Sequence, residues 1–121
     1  MKTILVVDDF ASVRFFHQSL LKKAGFATVA APDGPEALAA LEKQPIDLVV
    51  LDLLMPKMSG IEFIQRVRGI GRFAALPILV ITSEAAQEQA RKLAGAPGIK
   101  VMSKPILPES FIGEVRRLVP A

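Results

Sequence analysis

Asp8 and Asp9 close the apolar run Ile4-Leu5-Val6-Val7, and Asp52 closes Leu48-Val49-Val50-Leu51. Thr82 follows Ile78-Leu79-Val80-Ile81, and Lys104 follows the shorter Val101-Met102. A single ending of this kind says little, because Asp also forms turns and caps helices. A succession carrying three carboxylates, a hydroxyl and an ammonium says more if the apolar runs are parallel strands. The carboxyl ends of such strands open on one edge of the sheet, so residues far apart in sequence converge in one crevice. Carboxylates gathered there repel one another and call for a cation, and all-oxygen donors suit a hard divalent ion. One of these carboxylates could also act as a nucleophile and form a covalent acyl phosphate, with nearby positive charge steadying the transferred group.

The elements that must position these residues can be read from hydropathy. Strand-like runs at 3–7, 27–30, 47–51, 77–81 and 100–103 alternate with five helix-like segments. Continuous Val, Ile and Leu indicate strands buried on both faces, hence a doubly wound α/β domain with a parallel sheet. The first helix is expected over about 11–24, with Val13, Phe16, Leu20 and Leu21 facing the core, His17 on the surface and Gly25 as its stop. The second begins near Pro35, runs through Ala37, Leu38 and Leu41, and cannot continue past Pro45. The third starts near Gly60, read as a position for a backbone shape that other residues resist, and carries Ile61, Phe63, Ile64 and Val67 up to Gly69 and Gly71. Residues 84–94 form a fourth helix that buries little beyond alanine and Leu93, with Thr82, Ser83 or Glu84 available to cap it. The fifth follows Pro108 and uses Phe111, Ile112, Val115 and Leu118 as its core stripe.

A chain of 121 residues is expected to form one domain, 1–121, and its 51% hydrophobic and 22% charged residues are globular proportions. The absence of cysteine excludes disulfides, thiolate chemistry and Cys-based zinc sites. Apolar stretches of four or five residues are far short of a membrane span, and no signal-peptide pattern follows Met1, so a cytoplasmic location and no membrane insertion are expected. Basic residues outnumber acidic ones, 15 to 12. They are scattered, without an arginine-rich run or aromatic platform, so an acidic protein partner is expected and direct nucleic-acid binding is not. Gly69-Ile70-Gly71 follows a helix and lacks a third glycine, so it is not a nucleotide loop.

Val7-Asp8-Asp9, then 52–60 with its Met55-Pro56 and Ser59-Gly60, then Ile81-Thr82-Ser83-Glu84, then Ser103-Lys104-Pro105, resemble in order and spacing the receiver domain of two-component response regulators. The likeness covers essentially the whole chain and is nearest to the stand-alone, single-domain type used in chemotaxis. It implies a flavodoxin-like fold, a five-stranded parallel sheet in the order 2-1-3-4-5 with five helices and no output domain. It implies that Asp52 accepts a phosphoryl group from a sensor histidine kinase, a phosphotransfer protein or a small donor such as acetyl phosphate. Asp8, Asp9, Asp52 and the backbone carbonyl of Leu54 would hold Mg²⁺, while Thr82 and Lys104 would contact phosphoryl oxygens. The Lys104-Pro105 bond would be cis. Such a protein is not an enzyme in the ordinary sense, since it catalyses only its own phosphorylation and dephosphorylation. It signals to a downstream target through the face of the fourth helix, fifth strand and fifth helix, where Arg91, Lys92, Lys100, Arg116 and Arg117 would supply positive charge.

Two positions depart from that pattern. Receivers usually carry Tyr or Phe three residues before the site lysine, and here that residue is Val101, which has no ring to reorient. Leu54 is apolar where receivers of this type often place a polar side chain that helps admit the hydrolytic water. Two other classes stand beside the switch: a phosphorylation-independent interaction module on the same fold, which Val101 encourages, and a phosphotransferase or phosphatase with an aspartate nucleophile. The haloacid-dehalogenase type of phosphatase wants a second Asp two residues after the nucleophile, where this chain has Leu54.

Overall fold

The computed structural model describes residues 1–93 and 95–120. The elements run β1 (Thr3–Val7), α1 (Ala11–Lys23), β2 (Ala27–Ala31), α2 (Gly34–Lys43), β3 (Leu48–Asp52), α3 (Gly60–Arg68), β4 (Ile78–Thr82), α4 (Gln87–Arg91), β5 (Ile99–Ser103) and α5 (Pro108–Leu118). All strand pairs are parallel, and the sheet has the order β2-β1-β3-β4-β5 expected from the resemblance.

Alternate side chains of the three central strands supply two separate cores. Leu5, Val7, Val49, Leu51, Ile78 and Val80 meet Ala37, Leu41, Phe63, Ile64 and Val67 from α2 and α3 on one face. Ile4, Val6, Leu48, Val50, Leu79 and Ile81 meet Leu21, Phe111, Val115 and Val119 on the other. Burial on both faces holds for β1, β3 and β4 but not for β2 and β5, which lie at the sheet's edges and are only partly covered.

The phase of α1 differs from the expected one. His17 and Leu21 are its buried residues, while Phe16 is 46% exposed and Val13 and Leu20 are half-buried. The core-facing position falls on His17, one step round the helix from Phe16. The His17 ring lies 5.3 Å from the ring of Phe111, itself fully buried on α5. The fourth helix begins as a 3-10 turn at Glu84–Ala86 and is shorter than the expected 84–94, of which Ala94 lies outside the described residues. Ser83 precedes this turn without a side-chain cap, and Thr82 belongs to β4, so the anticipated capping is not made by either of them.

Candidate functional site

Strand register brings the carboxylates together. Val7 pairs with Leu51, which sets Asp8 level with Asp52, and Asp52 pairs with Ile81, one residue short of Thr82. Thr82 pairs with Ser103, and the Lys104 backbone N–H donates to the Thr82 carbonyl at 2.7 Å, so the lysine starts from the same edge. The Lys104-Pro105 peptide bond is cis, as the resemblance implied. One carboxylate oxygen from each of Asp8, Asp9 and Asp52 lies within 4.8 Å of the other two. Asp8 and Asp52 are buried, at 2% and 6% exposure.

Each carboxylate has distinct partners. An oxygen of Asp8 accepts from the Phe10 backbone N–H at 3.0 Å, and the Arg14 guanidinium donates to the Asp8 carbonyl at 2.7 Å. Asp52 Oδ1 accepts a long 3.4 Å bond from the Leu54 N–H and lies 4.0 Å from Lys104 Nζ. Asp9 Oδ1 is buried without a hydrogen-bond partner. Burial pushes the Asp52 carboxyl up to about 6, against the pull of Lys104 and with the push of Asp8 and then Asp9. Burial also raises Asp8, opposed first by the Phe10 N–H and then by Lys104. Lys104 therefore does not fully compensate the cluster. The uncompensated oxygens and the orphaned Asp9 Oδ1 fit a hard divalent cation in both charge and donor type.

Thr82 is buried, and its hydroxyl donates to the Ser83 carbonyl at 3.1 Å. Leu54 stands 41% exposed beside the crevice. A groove of about 800 Å³ adjoins it, lined by Phe16, His17, Glu84, Lys104, Pro105 and Ile106. His17 Nδ1 has no hydrogen-bond partner, and burial, then the Lys104 charge, pulls the imidazole down to about 4.

The loop after Asp52 is held in ways the sequence reading missed. Gly60 opens α3 without unusual backbone dihedrals, contrary to expectation, and glycine is required there for space. A Cβ would lie 2.6 Å from Leu53 Cα and 2.7 Å from Leu53 Cδ2. The left-handed conformation in this loop belongs instead to Lys57, at φ +69°. Its ammonium lies 3.2 Å from Asp33 Oδ2. Asp33 was not singled out from the sequence, although its place before Gly34-Pro35 marks a helix cap, and its Oδ1 does accept from the Glu36 N–H at 2.9 Å.

The basic face is also redistributed. Arg91 pairs with Glu88 and Arg117 with Glu114, while Arg116 lines a groove shared with Ala24 and Gly25 at the carboxyl end of α1. Lys92 and Lys100 remain as exposed cations on the α4–β5 side. Among the described residues no helix is long and apolar enough to cross a membrane.

The chain matches the response regulator receiver domain family over residues 4–116. It is 44% identical over 87 residues to the chemotaxis protein CheY-3 of Vibrio cholerae serotype O1, covering 71% of this chain and 67% of that one. Over the same length it is 41% identical to the chemotaxis protein CheY of Pseudomonas aeruginosa, covering 71% and 70%. Among solved structures, CheY4 of Vibrio cholerae superposes with a TM-score of 0.88 at 33% identity over 98% of both chains. A response regulator receiver protein from Pseudomonas putida gives 0.87 at 30% identity over 96% of both.

Proposed function

Since the chain belongs to the response regulator receiver domain family, we propose that it is a phosphorylation-switched signalling protein whose acceptor is Asp52. The observation that carries this reading is the convergence of Asp8, Asp9 and Asp52 within 4.8 Å, with the Lys104 ammonium 4.0 Å from Asp52. At neutral pH a carboxyl titrating near 6 is ionised, so an Asp52 oxygen can attack phosphorus while the donor's imidazole nitrogen leaves with the bonding pair. Asp8, Asp9, Asp52 and the Leu54 carbonyl would hold Mg²⁺, which when bound neutralises charge on the transferring phosphoryl group.

Lys104, whose ammonium stands 4.0 Å from Asp52 Oδ1, would exchange that distant contact for a phosphoryl oxygen. Thr82 would turn its hydroxyl from the Ser83 carbonyl to donate to another, replacing one neutral hydrogen bond with a stronger charge-assisted one. A sensor histidine kinase or phosphotransfer protein would supply the group in the cytoplasm. The target would bind the α4–β5–α5 face, with Lys92 and Lys100 favouring an acidic partner.

Amide NMR with Mg²⁺ and then beryllofluoride, on the parent and on Asp52→Asn, tests this reading. Shifts at Asp8, Asp9, Thr82 and Lys104 that depend on Asp52 and spread to α4 and α5 are the expected result. Shifts confined to the crevice would leave the chemistry without that output, as Val101 could impose. No response would favour the phosphorylation-independent module.

Leu54 bears on how long the signal lasts. Its apolar side chain beside Asp52 offers no hydrogen bond to an attacking water. Leu54→Asn is expected to lose its phosphoryl group several-fold faster than the parent, measured as release of inorganic phosphate after the donor is removed. A longer lifetime in the variant would show that Leu54 does not protect the acyl phosphate.

A further inference from the structure

Lys57 has a positive φ, which disfavours an L residue and which glycine adopts freely. The backbone alone therefore favours glycine at this position, and the lysine must be accounted for by its side chain. That side chain reaches Asp33, in the turn between β2 and α2, and the carboxylate it meets is buried. One oxygen of Asp33 binds Lys57 and the other caps α2 through the Glu36 N–H. The Glu36 N–H above all, against burial and with help from the Lys57 ammonium, holds the Asp33 carboxyl below the usual range, so both bonds are made to the ionised form.

A second contact reinforces the first. Met58 fills the space a side chain would need at Gly34, where a Cβ would lie 2.7 Å from the Met58 sulfur. At the base of the same loop the Gly60 N–H donates to the Leu53 carbonyl at 2.9 Å, and the Met58 N–H to the Pro56 carbonyl at 2.7 Å. The segment carrying Leu54 is thus suspended between Asp52 on β3 and an attachment to the neighbouring turn.

We propose that Asp33 and Lys57 are positioning residues for the crevice: their ion pair holds the β3–α3 loop so that the Leu54 carbonyl faces the carboxylates, and it ties occupancy of the crevice to the amino end of α2. This rests on the reading of the crevice as a Mg²⁺ site. Because coupling is reciprocal, whatever the cation does to the loop must also be felt at the α2 cap. That gives the site a route to the β2 edge of the sheet, opposite the edge where Val101 lacks a ring.

The test is a Mg²⁺ titration of the full chain followed at the Leu54 and Glu36 amides, for the parent, Lys57→Gly, Lys57→Arg and Asp33→Asn, with urea unfolding of each. Lys57→Gly discriminates best. It relaxes the backbone and removes a positive charge, so simple electrostatics predicts tighter Mg²⁺ binding, whereas loss of the attachment predicts binding weaker by about tenfold. The expected result is that weakening, loss of the Glu36 response and recovery of both in Lys57→Arg. Asp33→Asn keeps a capping oxygen and is expected to behave like Lys57→Gly. Unchanged or tighter binding in Lys57→Gly, with the Glu36 shift retained, overturns the proposal while the parent's own titration upholds the metal site. A parent that does not respond to Mg²⁺ overturns both.

Discussion

Asp52→Asn is expected to make the metal-free protein more stable near neutral pH while abolishing phosphoryl uptake. Burial raises this carboxyl from 3.8 to about 6, so the folded state holds the proton more tightly than the unfolded chain. The associated stability is complete below the unfolded value and is lost as pH rises through about 6. At 1.36 kcal/mol per unit the loss is about 3 kcal/mol, and asparagine, which never ionises, does not suffer it. Urea unfolding without metal should therefore show the variant gaining on the parent between about pH 4 and pH 7. Added Mg²⁺ should reverse the order, because it stabilises the form that binds it. A variant that does not gain across this range would show that Asp52 is better solvated than its 6% exposure indicates.

The second large effect is at His17, and its sign is opposite. Burial lowers this imidazole from 6.5 to about 4, so stability is present above the unfolded value and is lost as pH falls through about 4. The total again is about 3 kcal/mol. Near neutral pH, His17→Leu gives up a ring contact with Phe111 and also removes the orphaned Nδ1, two terms of about 1 kcal/mol each and of opposite sign. Little change is expected there. Near pH 4 the variant should exceed the parent by about 3 kcal/mol, measured by urea unfolding. In the parent, falling pH strengthens the fold through Asp52 and weakens it through His17 over nearly the same range, so their contributions nearly cancel. A His17→Leu variant no better than the parent near pH 4 would mean that the imidazolium finds room in the adjoining groove.

The sheet was legible because its central strands are unbroken Val, Ile and Leu, a pattern that only two-sided burial explains. The site was legible because parallel strands bring Asp8, Asp52 and Thr82 to one edge whatever the details of packing. Contacts decided between elements were hidden. In α1, Phe16 and His17 are both plausible core residues, and the choice depends on Phe111, far away in sequence. The role of Gly60 depends on its separation from Leu53 across a loop, which no local pattern encodes. The Asp33–Lys57 pair joins two loops that meet only once β1 and β3 are neighbours. The basic face is smaller than expected for a related reason: counting cations along α4 and α5 ignores the local acids, Glu88 and Glu114, that pair with two of them.

The strand order also sets a timetable. During synthesis the three carboxylates can be gathered as soon as β3 joins β1, but Lys104 emerges only after β5 has been made. Until then the acidic cluster has no lysine beside it, and the growing chain must tolerate that repulsion or meet it with a cation from solution. The last strand added at the sheet's edge brings the lysine, so partial relief of that repulsion and completion of the sheet arrive together.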